Sequence, residues 1–259
     1  MQWCILSEPL YVSKHDKGAR GYGAQWGGEH STFHHNLFAH CVGRTPLVNG
    51  ARDKSASGHD AFVDTEIINN VHFNWGNKGA LYGGQLHSIV EGAYSRTNLI
   101  NNYYKPGPAT PNSAVRYRIA KIGVRTTAYC TNSDGTPNAW KPMEHVWGQF
   151  YVDGNVIEGN ANVTADNWTK GIYEQINNKE CDNTFNDQVK AEMKLSAPLE
   201  TEFVTTHTAE QAFKQVLLYA GCSKENVSLK RQKQVRPLTR EVFHRMPPRN
   251  RGSSTGLPT

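Results

Sequence analysis

The chain has 259 residues, a formal net charge of +5, 37% hydrophobic residues and 23 glycines, enough length to bury a sizeable core in one large domain or two small ones. Its mean hydropathy of −0.63 and lack of any long apolar run exclude a bundle of membrane-spanning helices. A modest positive balance suits a polyanionic partner without choosing between nucleic acid and an acidic sugar. Five cysteines at 4, 41, 130, 181 and 222 form no C-x-x-C pair and are odd in number, so neither a zinc motif nor a disulfide framework follows. There is no Gly-rich phosphate loop, G-x-S-x-G elbow or H-E-x-x-H helix, and no Asp/Glu pair stands out as a glycosidase couple.

In chain order, Gln2-Trp3-Cys4-Ile5-Leu6 reads as a strand rather than a charged leader before an apolar run. An N-terminal portion, with any leader, is therefore expected to be missing. The same texture recurs at His34-His35-Asn36-Leu37-Phe38, Asn69-Asn70-Val71-His72-Phe73, Asn101-Asn102-Tyr103-Tyr104 and Asp153-Gly154-Asn155-Val156-Ile157. A small polar residue precedes apolar and aromatic ones, with successive spacings of 32, 34, 32 and 53. Periods of this length mark stacked units. Ser31–His34, Leu47–Asn49, Asp64–Ile68 and Gln149–Val152 read as short strands bounded by turn residues. Strands repeating at one period stack in parallel, and the repeated Asn then forms a ladder along the stack. A Pro- and Gly-rich insertion between Lys105 and Pro142 accounts for the longer last spacing. Ala165–Asn177 holds a possible short helix. Residues 208 to 221 predict a clearer one, with Thr208 as N-cap, Gln211 three residues on and Gly221 as the stop. That helix is expected to pack on the end or side of the stack, preferably as a cap. After Leu229 the chain is basic and Pro-containing, and is read as poorly ordered.

Chemistry concentrates between His15 and Asp53: Lys17-Gly18, Trp26-Gly27-Gly28, Arg44-Thr45-Pro46 and Arg52. Cations in a groove suit a carboxylate on every sugar, and Arg grips one through two hydrogen bonds. These stretches, with His34-His35-Asn36-Leu37 and Asn101-Asn102-Tyr103-Tyr104-Lys105-Pro106-Gly107-Pro108, resemble the pectate lyases, in particular the branch found in Bacteroidetes. The likeness covers roughly residues 2 to 175. It implies an all-β fold, a right-handed parallel β-helix with a short C-terminal helical segment, and calcium-assisted β-elimination on polygalacturonate. It implies Arg44 as the proton acceptor and Lys17 as a substrate-gripping residue. Arginine is largely protonated at ordinary pH, so the resemblance also implies activity that rises towards alkaline conditions. Arg52 and Trp26 are further substrate-contact candidates. Asn49 stands where the family's motif has its second Arg, and the family's calcium carboxylates fall before this chain's first strand. No metal ligands are assigned; Glu8 and Asp16 are read as solvated turn carboxylates.

Adjacent His34 and His35 are expected on opposite faces of a strand and unable to share an ion; with His30 and His40 they are read as packing residues. Trp75, Tyr82, Tyr103 and Tyr104 are read as wall structure. The expected organisation is stacked coils with the groove over 1–163, a helical and irregular segment packing on them over 164–228, and the basic tail over 229–259. The expected protein is a secreted or periplasmic monomer acting on pectate oligosaccharides, with no nucleic-acid or membrane partner. The alternatives are a non-catalytic carbohydrate-binding relative and, less favoured, a pectin hydrolase.

Overall fold

The computed structural model describes residues 1–12, 16, 18–48, 62–85, 93–200 and 204–221. Lys17, Asn49, Arg52 and the basic tail lie outside these residues. Among the described residues, thirteen short strands fall into a repeating order of three. The first set is β1 (Ile5–Ser7), β2 (Gln25–Trp26) and β3 (His30–His34). The second is β4 (Leu37–Ala39), β5 (Leu47–Val48) and β6 (Phe62–Ile68), and the third is β7 (Val71–Phe73), β8 (Leu81–Gly83) and β9 (Tyr94–Ile100). The fourth is β10 (Tyr103–Lys105), β11 (Ala120–Ile122) and β12 (Gln149–Asp153), followed by β13 (Val156–Ile157). Each member pairs with its counterpart in the next set, giving three sheets, β1-β4-β7-β10-β13, β2-β5-β8-β11 and β3-β6-β9-β12. Among the described residues all ten strand pairings are parallel. The insertion inferred from the last spacing thus contains a strand of its own, β11, and the extra chain is divided between the connections before and after β11, most of it after.

The expected Asn ladder is present. The Oδ1 of Asn36 accepts from the Cys4 backbone N–H at 3.0 Å. Asn70 Oδ1 accepts from the backbone and side-chain nitrogens of Asn36 at 3.0 and 2.9 Å. Asn102 repeats this for Asn70 at 2.9 and 3.2 Å, and Asn155 for Asn102 at 3.0 and 2.9 Å. Before each rung the chain turns through one left-handed residue: Trp3, His35, Asn69, Asn101 and Gly154 all have φ between 51° and 66°. That conformation redirects the strand, and Asn and Gly tolerate it best. One further rung was not expected. Asn167, in the short helix α2 (Asn167–Gly171), accepts from the Asn155 backbone and side chain at 2.7 and 3.1 Å. Its own amide then donates to the carbonyls of Asn155, Val163 and Thr164, so the relay ends inside a helix.

The interior is apolar and stacked. Phe38, His72 and Tyr104 lie parallel, with centroids 5.5 and 4.4 Å apart, and all three are fully buried. Burying side chains such as Phe38, Ile67 and Leu99 contributes roughly 1.5–3 kcal/mol each. Burial holds the His72 imidazole down at about 3, partly offset by a backbone contact with Thr45.

The long C-terminal helix, α4 (Ala209–Tyr219), has the expected capping box between Thr208 and Gln211. It does not close an end of the stack. Phe213 stacks on Tyr103 at 4.5 Å, and Val216 joins Leu37, Val71 and Phe73, so the helix lies along the outer face of the first sheet. That face carries exposed-side apolar residues that need cover, whereas the end below β13 is already met by α1 (Ala161–Ala165) and α2. Among the described residues no helix is long and apolar enough to cross a membrane.

Candidate functional site

Arg44 sits just before β5, at the entrance to the second sheet. Its φ of 55° places a non-glycine residue in the left-handed region, a conformation retained where the surroundings enforce it. Its carbonyl accepts from the Ala24 N–H at 2.9 Å, and the following Thr45 N–H donates to Ala80 at 3.1 Å. The backbone is thus clamped between the preceding and following turns of chain. The guanidinium lies over the Tyr22 ring at 4.3 Å and beside the Tyr82 ring at 5.9 Å. Its Nε is buried with no hydrogen-bond partner among the described residues. Ring faces attract a guanidinium without neutralising it as a carboxylate would.

Neighbouring turns add charge of the same sign. Arg20 shares the Tyr22 ring from 6.0 Å. The Lys78 N–H donates to Val42 at 3.1 Å, and its Cβ would lie 2.4 Å from a side chain placed at Gly43; only glycine there admits the next turn so closely. The Arg118 Nη2 would be 2.8 Å from a Cβ at Gly79. Burial lowers the Arg118 pKa, with Glu180 opposing the shift. Among the described residues none of Arg20, Arg44, Lys78 and Arg118 forms an ion pair with an acidic side chain. The entrance to the second sheet is therefore a row of unpaired cations with two tyrosine faces. A concentration of positive charge of this kind favours anionic partners in general.

Of the residues expected at this site, the structure gives only Arg44 this setting. Trp26 is a correction. Its indole is 5% exposed and stacks on Phe33 at 4.3 Å inside the core, because the strand's alternation turns Gln25 outward and Trp26 inward. It has no face to offer a sugar. Lys17 and Arg52 lie outside the described residues. Tyr22, Tyr82, Arg20, Lys78 and Arg118 were not singled out as site residues. Their signal was a shared position, just before or within the second strand of successive turns, which appears only once the register is known.

The histidines also differ from expectation. His35 is the left-handed residue that ends β3, so its ring swings back towards His34 instead of to the opposite face. Their Nδ1 atoms are 2.9 Å apart, and His35 Nε2 lies 2.9 Å from His207 Nδ1. His35 is pushed down to about 4, by burial first and then by His34 and His207. Its two nitrogens face different neighbours, so the three rings do not converge on one ion.

Calcium prefers about six to eight oxygen ligands. Among the described residues no group of three or more His, Cys, Asp or Glu could hold a metal ion, and the side chains around Arg44 are cations and phenols. The residues described here do not fit calcium. The chain matches no protein-family model and no curated protein.

Proposed function

We propose that the chain is a lyase of the pectate lyase type, cleaving polygalacturonate by β-elimination with Arg44 as base, and that its three parallel sheets are the faces of a right-handed parallel β-helix. The hand follows from the right-handed preference of parallel crossovers. The observation that carries the activity is the Arg44 guanidinium, held between two tyrosine faces, without an acidic partner among the described residues and beside further cations. In this reading the neutral guanidine removes the proton at C5 of a galacturonate. The C–H electron pair forms the C4–C5 double bond as the C4–O bond breaks, and the leaving oxygen takes a proton from water. Arg20, Lys78 and Arg118 hold substrate carboxylates and offset the charge that builds on the carboxylate next to C5. No step is routed through calcium.

The test is the near-ultraviolet absorbance of unsaturated product from polygalacturonate, measured with added calcium and with chelator. The wild-type chain is expected to produce it. Arg44→Ala is expected to lower the rate by about 10²–10⁴-fold, the usual contribution of a general base. A rate that Arg44→Ala leaves unchanged would remove Arg44 from the role of base. Binding of polygalacturonate without product would assign the alternative reading, a carbohydrate-binding relative.

A further inference from the structure

A cleft lies away from Arg44. It encloses about 690 Å³ at the last turn of the stack, between β12, α2 and the helix α3 (Asp187–Met193). That volume falls within the range of small-ligand sites, roughly 300–1,000 Å³. Its walls are three aromatic side chains, Tyr151, Trp168 and Tyr173, with Lys190 and Lys194 at the rim. Tyr151 projects from the outer face of β12, the edge strand of the third sheet, whereas Arg44 belongs to the second sheet. The Lys190 ammonium lies 4.9 Å from the Tyr173 ring and the Lys194 ammonium 5.9 Å from the Trp168 ring. The one acidic lining residue, Asp187, is 98% exposed and pairs with Lys190 at 3.1 Å. Lys194 forms no close ion pair among the described residues, although its charge acts on Asp166.

We infer that this cleft is a second carbohydrate subsite, taking a single uronate residue of an acidic polysaccharide. The inference rests on the substrate class proposed above. A pyranose offers a C–H face that packs on aromatic rings, and its carboxylate can replace ring contacts of the lysines with charge-assisted hydrogen bonds. An uncharged sugar would use the rings and leave the ammonium groups idle. Because the cleft and Arg44 lie on different sheets, the subsite anchors polymer without touching the reacting bond.

The experiment is a titration of the whole chain with digalacturonate, followed by amide and indole shifts in nuclear magnetic resonance and run alongside digalactose and a short oligothymidylate. Shifts at the Trp168 indole and along α3 are expected with the uronate. Lys194→Glu, at an exposed position, should raise that dissociation constant roughly tenfold or more. Trp168→Ala should do likewise, with far-ultraviolet circular dichroism verifying its fold. Arg44→Ala should leave these shifts unchanged, so loss of catalysis and loss of this subsite are read separately. Three results would each overturn the inference: shifts confined to the second sheet, equal affinity for digalactose, or binding of the oligothymidylate alone.

Discussion

Asn102 accepts two hydrogen bonds from Asn70 and passes two on to Asn155. Replacing it with Leu would strip the buried Asn70 backbone N–H of its acceptor, and an orphaned buried donor costs about 1–3 kcal/mol. Counting the strained fit of the branched side chain as well, Asn102→Leu should cost roughly 2–4 kcal/mol in urea unfolding. His72 carries a different expectation. In the fold its pKa falls from the ordinary 6.5 to about 3. The unfolded chain therefore binds the proton first as pH falls, and stability declines through the window between those values. His72→Phe keeps a ring between Phe38 and Tyr104. It should change stability little at pH 7 and remove much of the loss between pH 6.5 and 4, measured by unfolding at each pH. The ladder residues 36, 70, 102 and 155 were legible because a constant spacing survives in the sequence. Asn167 was not, since it reaches the same column from a helix only 12 residues beyond Asn155. Trp26 was misread because a two-residue strand shows too little alternation to say which side chain turns in.

At the scale of single elements, α4 shows what local rules can and cannot deliver. Thr208 and Gln211 satisfy each other's backbone N–H groups, a pattern written entirely within four residues and so visible beforehand. Thr208→Ala should cost about 1 kcal/mol, seen as a lower thermal midpoint and faster amide exchange in the first turn of α4. Where the helix docks depended on distant partners. Tyr103 and Val71 had to present an apolar outer face before Phe213 and Val216 could be assigned to the side of the stack. The chain leading into α4 is held likewise at long range: Asn69 accepts from the His207 N–H at 2.9 Å and donates to its carbonyl at 2.7 Å. Nothing near residue 207 announces that pairing.

For the molecule as a whole, the three-strand repeat decides what can be near what. Residues on successive turns become neighbours, which is why Tyr22, Arg44 and Tyr82 meet although more than twenty residues separate each from the next. The parallel stacking was readable from periodicity alone. The cationic row was not, because its members occupy a loop position whose register shifts by one residue between turns: Tyr22 bridges to Gly43, while Gln25 pairs with Leu47. His35 and His72 are both held neutral by burial, so mild acid draws on two sites at once. Their combined contribution to acid instability should exceed that removed by His72→Phe alone.

The amide column has a sense of direction. Every Oδ1 receives from the preceding rung, and the last amide donates to the carbonyls of Asn155, Val163 and Thr164. The column therefore stops at Asn167, whose amide is already used within the chain. A unit spliced in between two existing rungs would meet matching donors above and acceptors below. The architecture thus accommodates lengthening from within the column.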